Sequence, residues 1–165
     1  MSGDYFAVFD LPRHLSIDLK DLEKRFYALS RKWHPDLFAR KSEKEREESL
    51  DATALLNDAY RTLKDPIARA TYLLKLEGFD IGERGTKDVP PELLEEVFEL
   101  NMALEEGEQG EISQMRTRFE TMKRQIDSDL ERQFGAGELN EIRALLNRRK
   151  YITNLIDRTN VSDRI

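Results

Sequence analysis

Cysteine is absent from all 165 residues of the chain. No disulfide can form, no thiolate nucleophile exists, and no cysteine-ligated metal or iron–sulfur cluster can be held by this chain alone. A reducing cytoplasm suits that composition. Histidine is nearly absent, with only His14 and His34, so a histidine-based metal site lacks a third ligand. Long apolar runs are also missing. Nothing approaches the length of a membrane-spanning helix, and Met1 to Tyr5 has neither the basic nor the apolar region of a secretory signal. Clustered positive charge is lacking too. The net charge is −6; 14 basic and 14 acidic residues fall between Met1 and Gly78, leaving 13 basic and 19 acidic, and 13 minus 19 gives the entire −6. An acidic second half argues against nucleic-acid binding, which needs Lys and Arg to displace counterions. It suits a basic protein partner better.

What remains is 39% hydrophobic and 36% charged residues, a balance that fits a soluble, helix-rich protein. Leu22, Phe26, Leu29 and Trp33 recur at helical intervals. Lys20, Lys24 and Arg31 fall on the opposite face, with Arg25 and Lys32 flanking. Pro35 cannot continue a helix, so this one should stop near His34 and leave His34-Pro35-Asp36 on a turn. Asp4 can cap a short helix carrying Phe6 and Phe9 and ended by Pro12, and Asp18 can cap the helix before the turn. Leu37 to Ser42 reads as a loop and Glu43 to Lys64 as a helix. In that helix Leu56, Ala59, Tyr60 and Leu63 face the Leu22–Trp33 stripe. Asp65 then caps a fourth helix with Pro66 first, and Gly78 stops it.

Asp80 to Pro91 carries glycines and prolines without apolar period and is the candidate linker. Three helices should follow, over Glu92–Glu106, Glu111–Phe134 and Glu138–Asn160, separated by short glycine-bearing breaks that imply an antiparallel three-helix bundle. Val161 to Ile165 reads as a frayed end. In the first bundle helix Leu93, Val97, Leu100 and Leu104 form the core stripe. Leu94, Phe98 and Met102 form a second one, edged by Glu95, Glu99 and Glu106. From Glu92 to Glu111 there are eight acidic residues and no basic one. An apolar strip rimmed by carboxylates looks like a protein-binding surface. The plainer alternative is a broadened core face, with Leu94 packed against the first domain. In the last helix Leu139, Ile142, Leu145, Leu146, Ile152 and Ile156 cluster on one side, and Tyr151 and Leu155 fall on the other.

As catalysts His34 and Asp36 lack an accompanying Ser or Cys nucleophile. Binding fits them better. The tripeptide, its basic helix, Asp4-Tyr5-Phe6, Leu11-Pro12, Asn57-Asp58-Ala59-Tyr60-Arg61-Thr62-Leu63 with Asp65-Pro66, and Arg69-Ala70-Thr71-Tyr72 together resemble the J-domain family, whose members stimulate ATP hydrolysis by DnaK-class chaperones. Tyr72-Leu73-Leu74, Gly78-Phe79, the length and the second helical domain are similar to the HscB branch, co-chaperones of iron–sulfur cluster assembly. The resemblance implies an all-α, non-enzymatic protein without cofactor. Residues 1–78 would form a J-domain (a helical hairpin with flanking helices), 79–91 a linker, and 92–165 a scaffold-binding three-helix bundle. It implies that His34, Pro35 and Asp36 engage a DnaK- or HscA-class ATPase, with Lys24, Arg25, Arg31 and Lys32 steering it. For those four cations a merely solvated helix face is an equal alternative. It further implies that an IscU-type scaffold docks on Leu94, Phe98, Glu99 and Tyr151, with Met102 and Glu106 beside them. Three positions depart from the family pattern: Leu37 stands where Lys is common, Glu95 where some relatives are apolar, and Met102 where an acid is common. A general adaptor for another client, or an enzyme using His34 and Asp36, would be the competing readings.

Overall fold

Each early helix begins where a short polar side chain can take the N–H groups that a helix start leaves unpaired. In the computed structural model, which describes residues 3–79 and 90–162, Asp4 accepts from the Ala7 N–H and starts α1, Tyr5–Val8. Asp18 starts α2, Leu19–Lys32, and Ser42 starts α3, Glu43–Lys64. Asp65 starts α4, Pro66–Leu76, whose proline occupies the first turn. The α1 helix does not run to Pro12. It closes at Val8 because Leu11 N–H and Asp10 N–H turn back onto the Phe6 and Ala7 carbonyls, at 2.9 and 3.0 Å, with Asp10 left-handed at φ 54°. That is a helix-terminating loop built on Asp instead of Gly. The stretch after Asp36 is also more ordered than a loop: Pro35–Phe38 forms a 3₁₀ turn.

The chain divides into two compact units, Met1–Glu77 and Gly78–Ile165. In the first, α2 and α3 pair through the expected stripes. Leu22, Leu56, Ala59 and Leu63 are buried, while Phe26 is half-buried and stacks on Tyr60 with ring centroids 4.2 Å apart. Such a pair contributes about 0.5–1.5 kcal/mol beyond area burial. The ends of the unit are tied together: the Tyr5 N–H donates to the Tyr72 hydroxyl at 2.9 Å and the two rings stack. Arg69 is buried and donates to the Leu15 and Leu63 carbonyls, both at 2.7 Å. Burial holds its pKa below the ordinary arginine value, against the opposing pull of Asp65. At Asp4, burial works to raise the carboxyl, but the Ala7 N–H and Arg13 outweigh it and hold the group below its ordinary range.

The second unit starts with a 3₁₀ turn, Pro91–Leu93, running into α5, Leu94–Glu106. Gly107 ends α5 in the left-handed conformation that glycine adopts without steric cost. The next helix, α6, spans Gln109–Ala136, so Gly110 and Gly135 sit inside it instead of breaking the chain, and Gly137 makes the turn into α7, Leu139–Ser162. The helix thus extends into the stretch expected to fray; residues 163–165 lie outside the described residues, as does most of the expected linker. Cross-helix polar pairs fix directions. Arg149 meets Asp127 and Arg116 meets Thr159, so α6 and α7 are antiparallel. Arg118 meets Glu99, Arg148 meets Glu92 and Arg158 meets Asn101, so α5 runs against α6 and along α7. The core is Leu93 from the 3₁₀ turn, Leu100 and Ala103 from α5, Ile112, Met115, Phe119, Ile126 and Leu130 from α6, and Ile142, Leu145, Leu146, Tyr151, Ile152 and Leu155 from α7. Val97 and Leu104, expected in the core, are only half-buried; Ala103 takes the inner position.

Two exposed surfaces

The first surface lies at the end of α2. The helix stops at Trp33, whose N–H bonds the Leu29 carbonyl, and the chain turns at Pro35. The His34 Nδ1 accepts the Asp36 N–H at 3.2 Å. The Asp36 carboxylate lies 3.7 Å from the same nitrogen. The side chains of His34 and Asp36 are 56% and 91% exposed, held out by backbone geometry with no core role. Across the turn the Trp33 and Phe38 rings are nearly parallel, 5.9 Å between centroids. The Trp33 carbonyl accepts the Ser49 hydroxyl of α3 at 2.7 Å. Leu37 projects beside the turn, 61% exposed.

Of the four cations expected beside this turn, Lys24, Arg31 and Lys32 are exposed, with the Lys32 Nζ 5.9 Å from the Trp33 ring centre. Arg25 differs. It pairs with Asp21 at 3.0 Å and donates to the Phe9 and Asp10 carbonyls at 2.9 and 3.1 Å. Its guanidinium holds the end of α1, so its charge is committed inward. Tyr27 is half exposed on the same helix; spacings of four, three and four put it in line with Lys20, Lys24 and Arg31, and only its lack of charge kept it from being singled out.

The second surface lies on α5. Leu94, Phe98 and Met102 are 55%, 65% and 45% exposed, one turn apart along a continuous apolar strip. Glu95 and Glu106 are exposed beside it, and Glu99 is half-buried and bonded to Arg118 at 3.0 Å. Tyr151 does not belong here as expected. It and Leu155 are buried, because α7 packs against α5 and α6 at once and its buried arc exceeds a single stripe. The Tyr151 hydroxyl is enclosed without a hydrogen-bond partner. Among the described residues no cluster of three or more His, Cys, Asp or Glu is placed to hold a metal ion, and no helix is long and apolar enough to cross a membrane.

Comparison with known proteins matches each unit separately. Residues 4–72 match the DnaJ domain and residues 89–160 the HSCB C-terminal oligomerisation domain. The human iron–sulfur cluster co-chaperone protein HscB is 31% identical over 153 residues, covering 92% of this chain and 65% of the human protein. This chain thus spans just under two thirds of that relative's length. The co-chaperone protein HscB of Proteus mirabilis is 42% identical over 78 residues, 47% of this chain and 45% of the relative. Among solved structures, chaperone HscB from Vibrio cholerae superposes with a TM-score of 0.70 at 32% identity, covering 98% of this chain and 99% of that one. Human HscB gives 0.77 at 29% identity, covering 98% and 83%.

Proposed function

The chain belongs to the HscB family of J-domain co-chaperones, and from that membership we propose that it stimulates ATP hydrolysis by a DnaK- or HscA-class chaperone while delivering to it an IscU-type iron–sulfur cluster scaffold. The observation that carries this reading is one chain with two kinds of exposed surface on two separately cored units. The first unit offers His34, Pro35 and Asp36 beside Lys24, Arg31 and Lys32. The second offers Leu94, Phe98 and Met102 edged by Glu95 and Glu106. In this reading the chaperone hydrolyses ATP, and this protein biases when it does so.

The residues suggest how. The exposed lysines and arginine steer an acidic chaperone surface toward α2, and the rigid turn then inserts His34 and Asp36 at the contact. The apolar strip anchors the client by removing Phe98 and its neighbours from water, with the carboxylates selecting a basic rim. Hydrolysis closes the chaperone on a client that is already nearby.

The test is steady-state ATPase of an HscA-class chaperone with this protein, an IscU-type scaffold, or both. Stimulation by the protein alone, and greater stimulation by the pair, is expected. His34→Gln should abolish both while leaving the melting curve unchanged. Absence of any stimulation by the parent sinks the co-chaperone reading; stimulation without a scaffold effect points to another client.

A further inference from the structure

Resting on the co-chaperone reading, we propose that Ser49, braced by Thr53, is the positioning residue of the His34–Asp36 turn. The backbone polar groups at this turn must all be accounted for. Helix α2 has ended, so the Trp33 carbonyl has no intrahelical donor. Pro35 has no N–H. The Asp36 N–H is used by the His34 Nδ1 and the Leu37 N–H by the His34 carbonyl at 3.0 Å. Nothing local is left for the Trp33 carbonyl, and α3 supplies the donor: the Ser49 hydroxyl at 2.7 Å.

Ser49 is an unusual residue to find there. It is fully buried, at 0% exposure, in the first half of α3. A serine inside a helix ordinarily points to solvent or bonds back to its own helix. This one crosses to another element. Thr53, one turn on, donates to the Ser49 carbonyl at 2.8 Å and lies 3.4 Å from the Trp33 carbonyl, which holds the group together. Among the described residues these are the only hydrogen bonds between the turn and another helix. The side chains that matter are free in solvent, so their direction is set by the backbone, and the backbone is fixed by this clasp and by the Trp33–Phe38 stack. The Ser49 hydroxyl touches no partner itself; it acts through Trp33.

The test uses the full-length protein with Ser49→Ala, Ser49→Thr and, as a control hydroxyl, Thr71→Ala, which removes a bond within α4 only. Each is titrated against a DnaK-class chaperone in an ATPase assay and melted in parallel, and the Asp36 and Leu37 amides are followed by NMR. Ser49→Ala should lower maximal stimulation roughly three- to tenfold, the size expected when one buried hydrogen bond is lost. The half-maximal concentration should stay within about twofold, because the steering charges are untouched. Ser49→Thr should recover most of the plateau, and Thr71→Ala should match the parent. The Asp36 and Leu37 amide signals should shift in Ser49→Ala and return in Ser49→Thr. An unchanged plateau in Ser49→Ala overturns the proposal, as does a loss that merely tracks the unfolded fraction. If the parent stimulates no chaperone, the co-chaperone reading has failed separately, and the amides decide alone: unshifted Asp36 and Leu37 in Ser49→Ala then overturn the clasp.

Discussion

Tyr151 shows how one side chain changes meaning when its neighbours are known. Helical spacing set it opposite Ile152 and Ile156, on a free face. In the fold it is 8% exposed and its hydroxyl is unpartnered. Tyr151→Ala should therefore destabilise the second unit by about 3–5 kcal/mol, as other buried aromatic truncations do. Tyr151→Phe removes only the orphan hydroxyl and should be neutral or stabilising by up to about 1 kcal/mol. Paired denaturant melts check both; an early melt of the Phe variant would mean that the hydroxyl has a partner after all. The roles that spacing missed share a trait. Ser49, Arg25 and Arg69 act on carbonyls of other elements, at separations of 16, 16 and 54 residues along the chain. Periodicity reads which face a side chain is on, and it is blind to which backbone oxygen lies across the gap.

The helices themselves followed from their sequence signals. Asp4, Asp18 and Asp65 each start the helix expected of them, and α3 runs from Glu43 to Lys64 as predicted, with Ser42, read only as the end of a loop, as its cap. Boundaries failed where a glycine was read as a break. Gly110 and Gly135 are absorbed because α6 has a continuous buried face to hold it, which outweighs the roughly 1 kcal/mol that each glycine costs. On α2, Lys24 and Arg31 are exposed but Arg25 is not free. Lys24→Glu with Arg31→Glu should weaken chaperone binding, most strongly at low salt, since exposed charges are screened beyond roughly 8 Å at physiological ionic strength. Arg25→Glu should instead lower the melting temperature by loosening α1. Affinity for the chaperone, measured across a salt series, separates the two. On α5 the two stripes make opposite predictions. Phe98→Ala should change stability by no more than about 0.5 kcal/mol and weaken scaffold binding roughly thirtyfold. Leu100→Ala should cost about 2–5 kcal/mol of stability. An early melt for Phe98→Ala would put it in the core.

Two units with separate cores on one chain give an arrangement in which proximity is the product. Under the proposed function, a client held on α5 would reach the chaperone at an effective concentration in the millimolar range for short linkers. Residues 1–78 alone should still stimulate the chaperone, and the scaffold's additional effect should vanish even when residues 79–165 are added separately at micromolar concentration. Restoration in trans would show that the tether is dispensable. The whole molecule also carries one tryptophan, and the fold puts it at Trp33, stacked on Phe38 beside the turn. Its indole is consequently a built-in optical reporter. Selective excitation sees the first unit and is silent for the second, so an emission change on adding a tryptophan-free fragment of the chaperone reads docking at the turn without any label. The same emission, followed with the scaffold present, would show whether a loaded α5 changes docking at the turn.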